Sequence, residues 1–87
     1  MSKDAELVKK LKDSTLKDRA FSELLDAYQE RLYWHIRKIV HTHENADDVL
    51  QNTFIRIYKS IVNFQEKSSL HTWMYRIAYN ESCLLYT

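Results

Sequence analysis

The sequence has no glycine and no proline among its 87 residues. Tight turns that need a left-handed residue, and Gly-rich loops that cradle phosphate, are therefore both out of reach. What remains is a set of helices joined by short polar links. The single cysteine, Cys83, excludes an internal disulfide and fits a reducing compartment. No apolar run approaches the roughly 20 residues that cross a bilayer, and the start, "MSKDAELVKKLKDS", lacks the apolar centre of a secretion signal. The expectation is a cytoplasmic protein with no membrane span. An excess of either charge is missing too, with 13 Lys and Arg against 12 Asp and Glu and a net charge of +1. A chain that held DNA by neutralising phosphates alone would carry a denser basic stripe, so any DNA contact needs help from elsewhere. At this length the chain makes one domain with a single modest core.

What is present is helical periodicity. "AELVKKLKD" places Leu7, Val8 and Leu11 at helical spacing and predicts a short N-terminal helix within residues 1–14. From about Thr15 to His41, the positions Phe21, Leu24, Leu25, Tyr28, Leu32, Ile36, Ile39 and Val40 keep the three-four rhythm of one long helix. "HTHENADD" breaks it. Asn45 is the expected N-cap of the next helix, with Asp47 and Asp48 near the positive end of its dipole. Ala46, Val49, Leu50, Thr53, Phe54, Ile57 and Ile61 form that helix's inward stripe. "NFQEKSS" interrupts again, and Ser68 or Ser69 caps the last helix. In that helix, Leu70, Trp73, Met74, Ile77, Ala78, Leu84 and Leu85 share one face, while Thr72, Tyr75, Arg76, Tyr79, Asn80 and Cys83 share another. With no strand pattern and no internal repeat, the fold class is all-α, a compact bundle of three main helices and a short N-terminal one.

Enzymatic constellations are hard to find. Cys83 has no basic neighbour in sequence, and no Ser/His/Asp spacing points to an activated nucleophile. His41, His43 and Glu44 have the right chemistry for a metal but the wrong spacing, because helical His ligands sit four apart; a solvated link is the simpler reading. No cofactor is expected. Two faces remain without a structural task. Asp48, Gln51, Asn52, Ile55 and Lys59 make a stripe beside the buried one; each alone reads as solvated surface, while the combination of an amide pair with an aspartate and an exposed isoleucine leans toward a protein partner. On the last helix, Tyr75 and Tyr79 are either half-buried amphipathic rings or, with Arg76 and Asn80, a stacking and hydrogen-bonding surface for unpaired bases.

The segment "ADDVLQNTFIRIYKSIVNFQEKSSLHTWMYRIAYN", residues 46–80, resembles region 2 of the sigma-70 family, in its extracytoplasmic-function (ECF) group of bacterial RNA polymerase sigma factors. "AFSELLDAYQERLYWHIRKIV" resembles the first part of the same domain, so residues 15–87 are expected to form it. The resemblance implies a non-enzymatic transcription initiation factor. The segment holding Asp47, Asp48, Gln51, Asn52, Ile55 and Arg56 would dock on the clamp helices of the polymerase beta-prime subunit. Asn63, Phe64, Gln65, Lys67 and Ser68 would form a pocket for a base of the promoter −10 non-template strand. His71, Thr72, Tyr75, Arg76, Tyr79 and Asn80 would continue the strand-binding surface. It also implies an anti-sigma factor as a regulatory partner. Two departures stand out. Glu66 sits beside Lys67 in a loop where more basic residues or glycine would suit DNA, and the −35-reading region 4 domain is absent, which suggests a domain cut from a longer protein. The alternative is a helical protein-binding module, a sigma mimic or a partner of a sequestering protein, that never touches DNA.

Overall fold

The computed structural model describes residues 3–85, which fold into helices α1 (Lys3–Lys12), α2 (Lys17–Arg37), α3 (His43–Ser60) and α4 (Leu70–Leu84), with a 3₁₀ turn at Ile61–Asn63 after α3. Among the described residues there is no strand. The bundle is built around α3, which packs against α2 on one side and α4 on the other; α2 also meets α4, and α1 lies across α2 and the 3₁₀ turn. This arrangement follows from the inward stripe of α3. Ala46, Val49, Leu50, Thr53, Phe54 and Ile57 are all buried, and Ile61 extends the row into the 3₁₀ turn. Each large aliphatic member removed from water stabilises the fold by about 1.5–3 kcal/mol. From α2 come Leu24, Leu32 and Ile36, from α4 Leu70, Met74 and Ala78, and from α1 Val8 and Leu11, all in the same core.

Two buried polar side chains do not disturb this core. The Thr53 hydroxyl donates to the Val49 carbonyl at 2.7 Å and the Ser82 hydroxyl to that of Ala78 at 2.8 Å, so each is satisfied one turn back on its own helix. The inside position of Ser82 departs from expectation. It continues the four-residue series Leu70, Met74, Ala78, whereas Leu84 lies two residues further round the helix. Leu84 and Leu85 are accordingly 59% and 41% exposed, which corrects their placement on the buried face.

The links show how a chain without glycine or proline turns. Between α1 and α2, the Asp13 carboxylate accepts from the Thr15 backbone N–H at 2.9 Å and from its hydroxyl at 2.6 Å, a side-chain turn of the type favoured by Asp. These bonds hold the Asp13 carboxyl below its ordinary pKa, the Thr15 hydroxyl contributing most. The long helix ends at Arg37 rather than His41. Ile39 and Val40 both direct their N–H groups at the Ile36 carbonyl, and buried Val40 closes the turn. Thr42, not Asn45, caps α3. Its hydroxyl accepts from the Asn45 N–H at 3.1 Å, which puts Asn45 in the first turn and His43 at the first helical position. The link to α4 has Glu66 at φ 58°, a left-handed conformation that glycine would adopt with less strain. Ser69 then caps α4 by accepting from the Thr72 N–H at 3.1 Å, as expected from the sequence. Thr42→Ala should lower the unfolding free energy by about 1 kcal/mol and Asn45→Ala by clearly less, measured by urea denaturation. Equal losses would return the capping role to Asn45.

Candidate functional site

Burying one stripe of α3 turns the neighbouring stripe outward. Gln51, Asn52, Ile55, Arg56 and Lys59 are all exposed beside Asp48, and Ile55 keeps 53% of its surface in solvent. Ile55 forms a ridge between two depressions. On its α2 side lies an apolar groove of about 500 Å³ walled by Phe21, Leu25, Leu50, Phe54 and Tyr58, with Gln51 and Lys59 at the rim. On its α4 side lies a more polar one of about 310 Å³ that includes Asn52, Arg56 and Glu81. Arg56 is not free on the stripe, because its guanidinium pairs with the largely buried Glu81 carboxylate at 3.2 Å and braces α3 to α4. Asp47 is also engaged, with His43 Nε2 at 3.1 Å, while the Tyr33 hydroxyl lies 2.7 Å from His43 Nδ1. One tautomer serves both, with Nε2–H donating to Asp47 and Nδ1 accepting from Tyr33. This relay ties Asp47 toward α2, apart from the Gln51–Ile55 stripe. Among the described residues, no cluster of three or more His, Cys, Asp or Glu side chains could hold a metal.

The groove walls include residues that sequence reasoning assigned wholly to the core. Phe21 and Leu25 lie one turn apart at the edge of the α2 stripe and are only half-buried. Phe21 meets Phe54 and Tyr58 edge-on, with ring centroids 6.1 and 5.0 Å away. The Tyr58 hydroxyl donates to Asp18 at 2.7 Å, and Lys17 Nζ stands 4.0 Å over its ring. Hydrogen bonding to the Asp18 carboxylate raises the phenol pKa.

The other candidate surface splits in two. Thr72, Arg76, Tyr79 and Asn80 lie along the outer side of α4, next to the link in which Asn63, Gln65, Glu66 and Lys67 are exposed and Ser68 is half-exposed. Tyr79 keeps 53% of its surface in solvent, and its hydrogen bond with Cys83 raises its pKa. His71 and Tyr75 instead turn toward α2. Their rings stack at 4.1 Å and 21°, His35 lies 4.5 Å beyond Tyr75, and Tyr28 lies 6.0 Å beyond His71. Phenol and imidazole rings thus alternate in a column between α2 and α4. Phe64 also differs from its expected place. It is 5% exposed, its ring packs 4.8 Å from that of Trp73, and its carbonyl accepts from the Lys12 ammonium. Phe64 therefore anchors the link to the core, and the side chains open to a ligand are those flanking it.

The chain matches the sigma-70 region 2 family over residues 24–83. It is 42% identical over 62 residues to the RNA polymerase sigma-H factor of Pseudomonas aeruginosa, covering 71% of this chain and 32% of that protein. To the ECF RNA polymerase sigma factor SigW of Bacillus subtilis it is 34% identical over 61 residues, covering 70% of this chain and 33% of that one. Among solved structures, an engineered region 2 of sigmaE, determined by NMR in complex with GTAAAA, superposes with a TM-score of 0.84 at 28% identity, over 98% of this chain and 90% of that one. The match over the greater part of the sequence and the shared fold place it: this chain belongs to the sigma-70 region 2 family, among relatives that are RNA polymerase sigma factors, several of them of the ECF group. It spans about a third of the length of those relatives.

The aromatic column gives the fold a dependence on pH. Burial pushes the His35 imidazole below its ordinary value of 6.5, and the positive charge of Lys38 acts in the same direction. The folded state thus binds its proton less readily than the unfolded chain. The stability that neutral His35 contributes is present above pH 6.5 and is lost as the pH falls below it. Melting temperature should fall as the pH drops below about 6.5, and His35→Phe should flatten that slope. An unchanged slope in the variant would place the sensitivity on another group.

Proposed function

We propose that this chain is the promoter-recognising part of a bacterial RNA polymerase sigma factor. The outer stripe of α3 docks on the clamp helices of the beta-prime subunit, and the α3–α4 link with α4 captures bases of the non-template strand of the −10 element. The observation that carries the proposal is the outward row Thr72, Arg76, Tyr79 and Asn80 beside the link, on a fold shared with a region 2 domain solved in complex with GTAAAA. A base that leaves the duplex loses its stacking and needs replacement contacts. The Tyr79 ring offers stacking, Arg76 a phosphate contact and Asn80 base-edge hydrogen bonds. Asn63, Gln65, Lys67 and Ser68 would surround the first captured base, with Phe64 holding the link's shape from beneath.

The groove beside Ile55 supports the docking half. An apolar trough rimmed by Gln51 and Lys59 suits the side of a coiled coil, where a buried apolar contact is ringed by polar pairs. Asp48, Gln51 and Asn52 would supply the polar pairs and Ile55 the apolar contact. Arg56 and Asp47 would act mainly by holding α3 in place, given their internal partners. Docking also accounts for the near-zero net charge. A strand presented by the polymerase is already at high local concentration, so a dense basic stripe is unnecessary. Opening is then driven by captured bases, with no hydrolysis and no cofactor. The setting is the bacterial cytoplasm, and an anti-sigma factor that covered either surface would silence the domain.

Calorimetry with a clamp-helix fragment should give saturable binding that Asp48→Ala with Gln51→Ala weakens about tenfold or more. In parallel, GTAAAA should bind the wild type and lose about tenfold in affinity with Tyr79→Ala, by loss of one stacked base. Clamp-helix binding with no strand binding by the folded chain would instead favour a protein-binding helical module.

A further inference from the structure

Trp34 serves neither the core nor the two surfaces described above. It lies on α2 with 56% of its surface in solvent, and its ring meets the Tyr33 ring edge-on, at 5.0 Å and 84°. A single exposed apolar residue is ordinary, but the surroundings of this one are not. Trp34 walls a groove of about 500 Å³ between α2 and α4, whose opposite wall is Tyr75. Arg31 and Lys38 also line it; at three residues before and four after Trp34, they share its face of the helix. The Arg31 guanidinium sits 5.1 Å from the Tyr28 ring, which limits its wandering. Asp26 and Glu30, two turns and one turn before Trp34 on α2, give the far end of the same groove two carboxylates.

This combination discriminates between occupants. An apolar helix face would find a better match in the α2–α3 groove, whose walls carry far less charge. A nucleotide matches the Trp34 groove at three points: its ring on the indole, its phosphate at the cations, and an exocyclic amino group toward the carboxylates. The location fits as well. Tyr75 precedes Arg76 in sequence and lies one turn from Tyr79, so a strand leaving the outward row of α4 reaches the groove along the protein surface.

We infer that the Trp34 groove is a further subsite for one nucleotide of the single strand, beyond those held by α4 and its preceding link, and that it prefers a base bearing an exocyclic amino group over thymine. The inference rests on the strand-binding reading above. Arg31 and Lys38 hold the phosphate, Trp34 stacks the base, and Asp26 with Glu30 accept from its amino group.

The chain has two tryptophans, so Trp73→Phe leaves Trp34 as the only indole and a direct reporter. Titrations would use GTAAAA and the same hexamer extended at either end by four adenines or four thymines. An adenine extension at one end should quench the indole and bind about tenfold tighter than the hexamer, with a smaller gain for thymine. Trp34→Ala should abolish the gain and leave hexamer affinity unchanged, and Asp26→Ala with Glu30→Ala should remove the preference for adenine. An equal gain in wild type and Trp34→Ala, an unmoved indole emission, or quenching by a clamp-helix fragment in place of DNA would overturn the subsite alone. Absence of hexamer binding by the wild type would overturn the strand-binding reading itself.

Discussion

The arrangement depends on the burial of one stripe of α3 between α2 and α4. Because Ala46, Val49, Leu50, Thr53, Phe54 and Ile57 are taken up inside, helical geometry obliges Asp48, Gln51, Asn52 and Ile55 to point away from the core. The Arg56–Glu81 pair then locks the register of α3 against α4 from the solvent side. An exposed ion pair contributes little to stability, but Glu81 is largely covered, so losing its partner would leave a poorly solvated carboxylate beside the core. The same packing sets the face that α4 presents. Leu70, Met74, Ala78 and Ser82 go in, His71 and Tyr75 lean on α2, and Thr72, Arg76, Tyr79 and Asn80 remain on the outer side. One core thus defines two separate outward surfaces, on α3 and on α4, which the proposed bridging of polymerase and DNA requires.

Without glycine, each link is shaped by side chains bonding to the backbone. Asp13 with Thr15, Thr42 and Ser69 do for the three links what glycine does elsewhere, with one left-handed glutamate, Glu66, as the strained exception. That glutamate lies in the link proposed to meet DNA. Ser69 and Phe64 fix the two ends of the link, one by capping α4 and the other by packing on Trp73. A pocket for a flipped base benefits from such preorganisation, because less ordering remains to be done on binding.

Much of the fold was legible in the sequence, and the exceptions share a physical pattern. Every position of the α3 inward stripe was readable because three-four spacing of apolar residues has one geometric interpretation on a helix. The cap of α3 was misplaced because "HTHEN" holds two residues capable of capping, and only the turn after Val40 decides between them. Leu84 and Leu85 looked buried by composition, but small Ser82 holds the right phase. Tyr75 read as either a half-buried amphipathic ring or part of a base-stacking face, and His71 as a strand-binding residue near the link. Rings with one wet edge can equally stack between helices, and the α2–α4 distance settles which. The groove beside Ile55 and the one at Trp34 were not legible, since each depends on how α2 lies against a helix distant in sequence.

One small bundle is proposed to carry two independent surfaces, one for the polymerase clamp helices and one for single-stranded DNA. Backbone amide shifts of the isotope-labelled chain, followed by NMR as a clamp-helix fragment and then GTAAAA are added, test this most directly. Two separate sets of amides should shift, one around Gln51, Asn52 and Ile55 and a second around Lys67, Arg76, Tyr79 and Asn80, with each ligand still binding in the presence of the other. A single overlapping set, or competition between the two ligands, would contradict it.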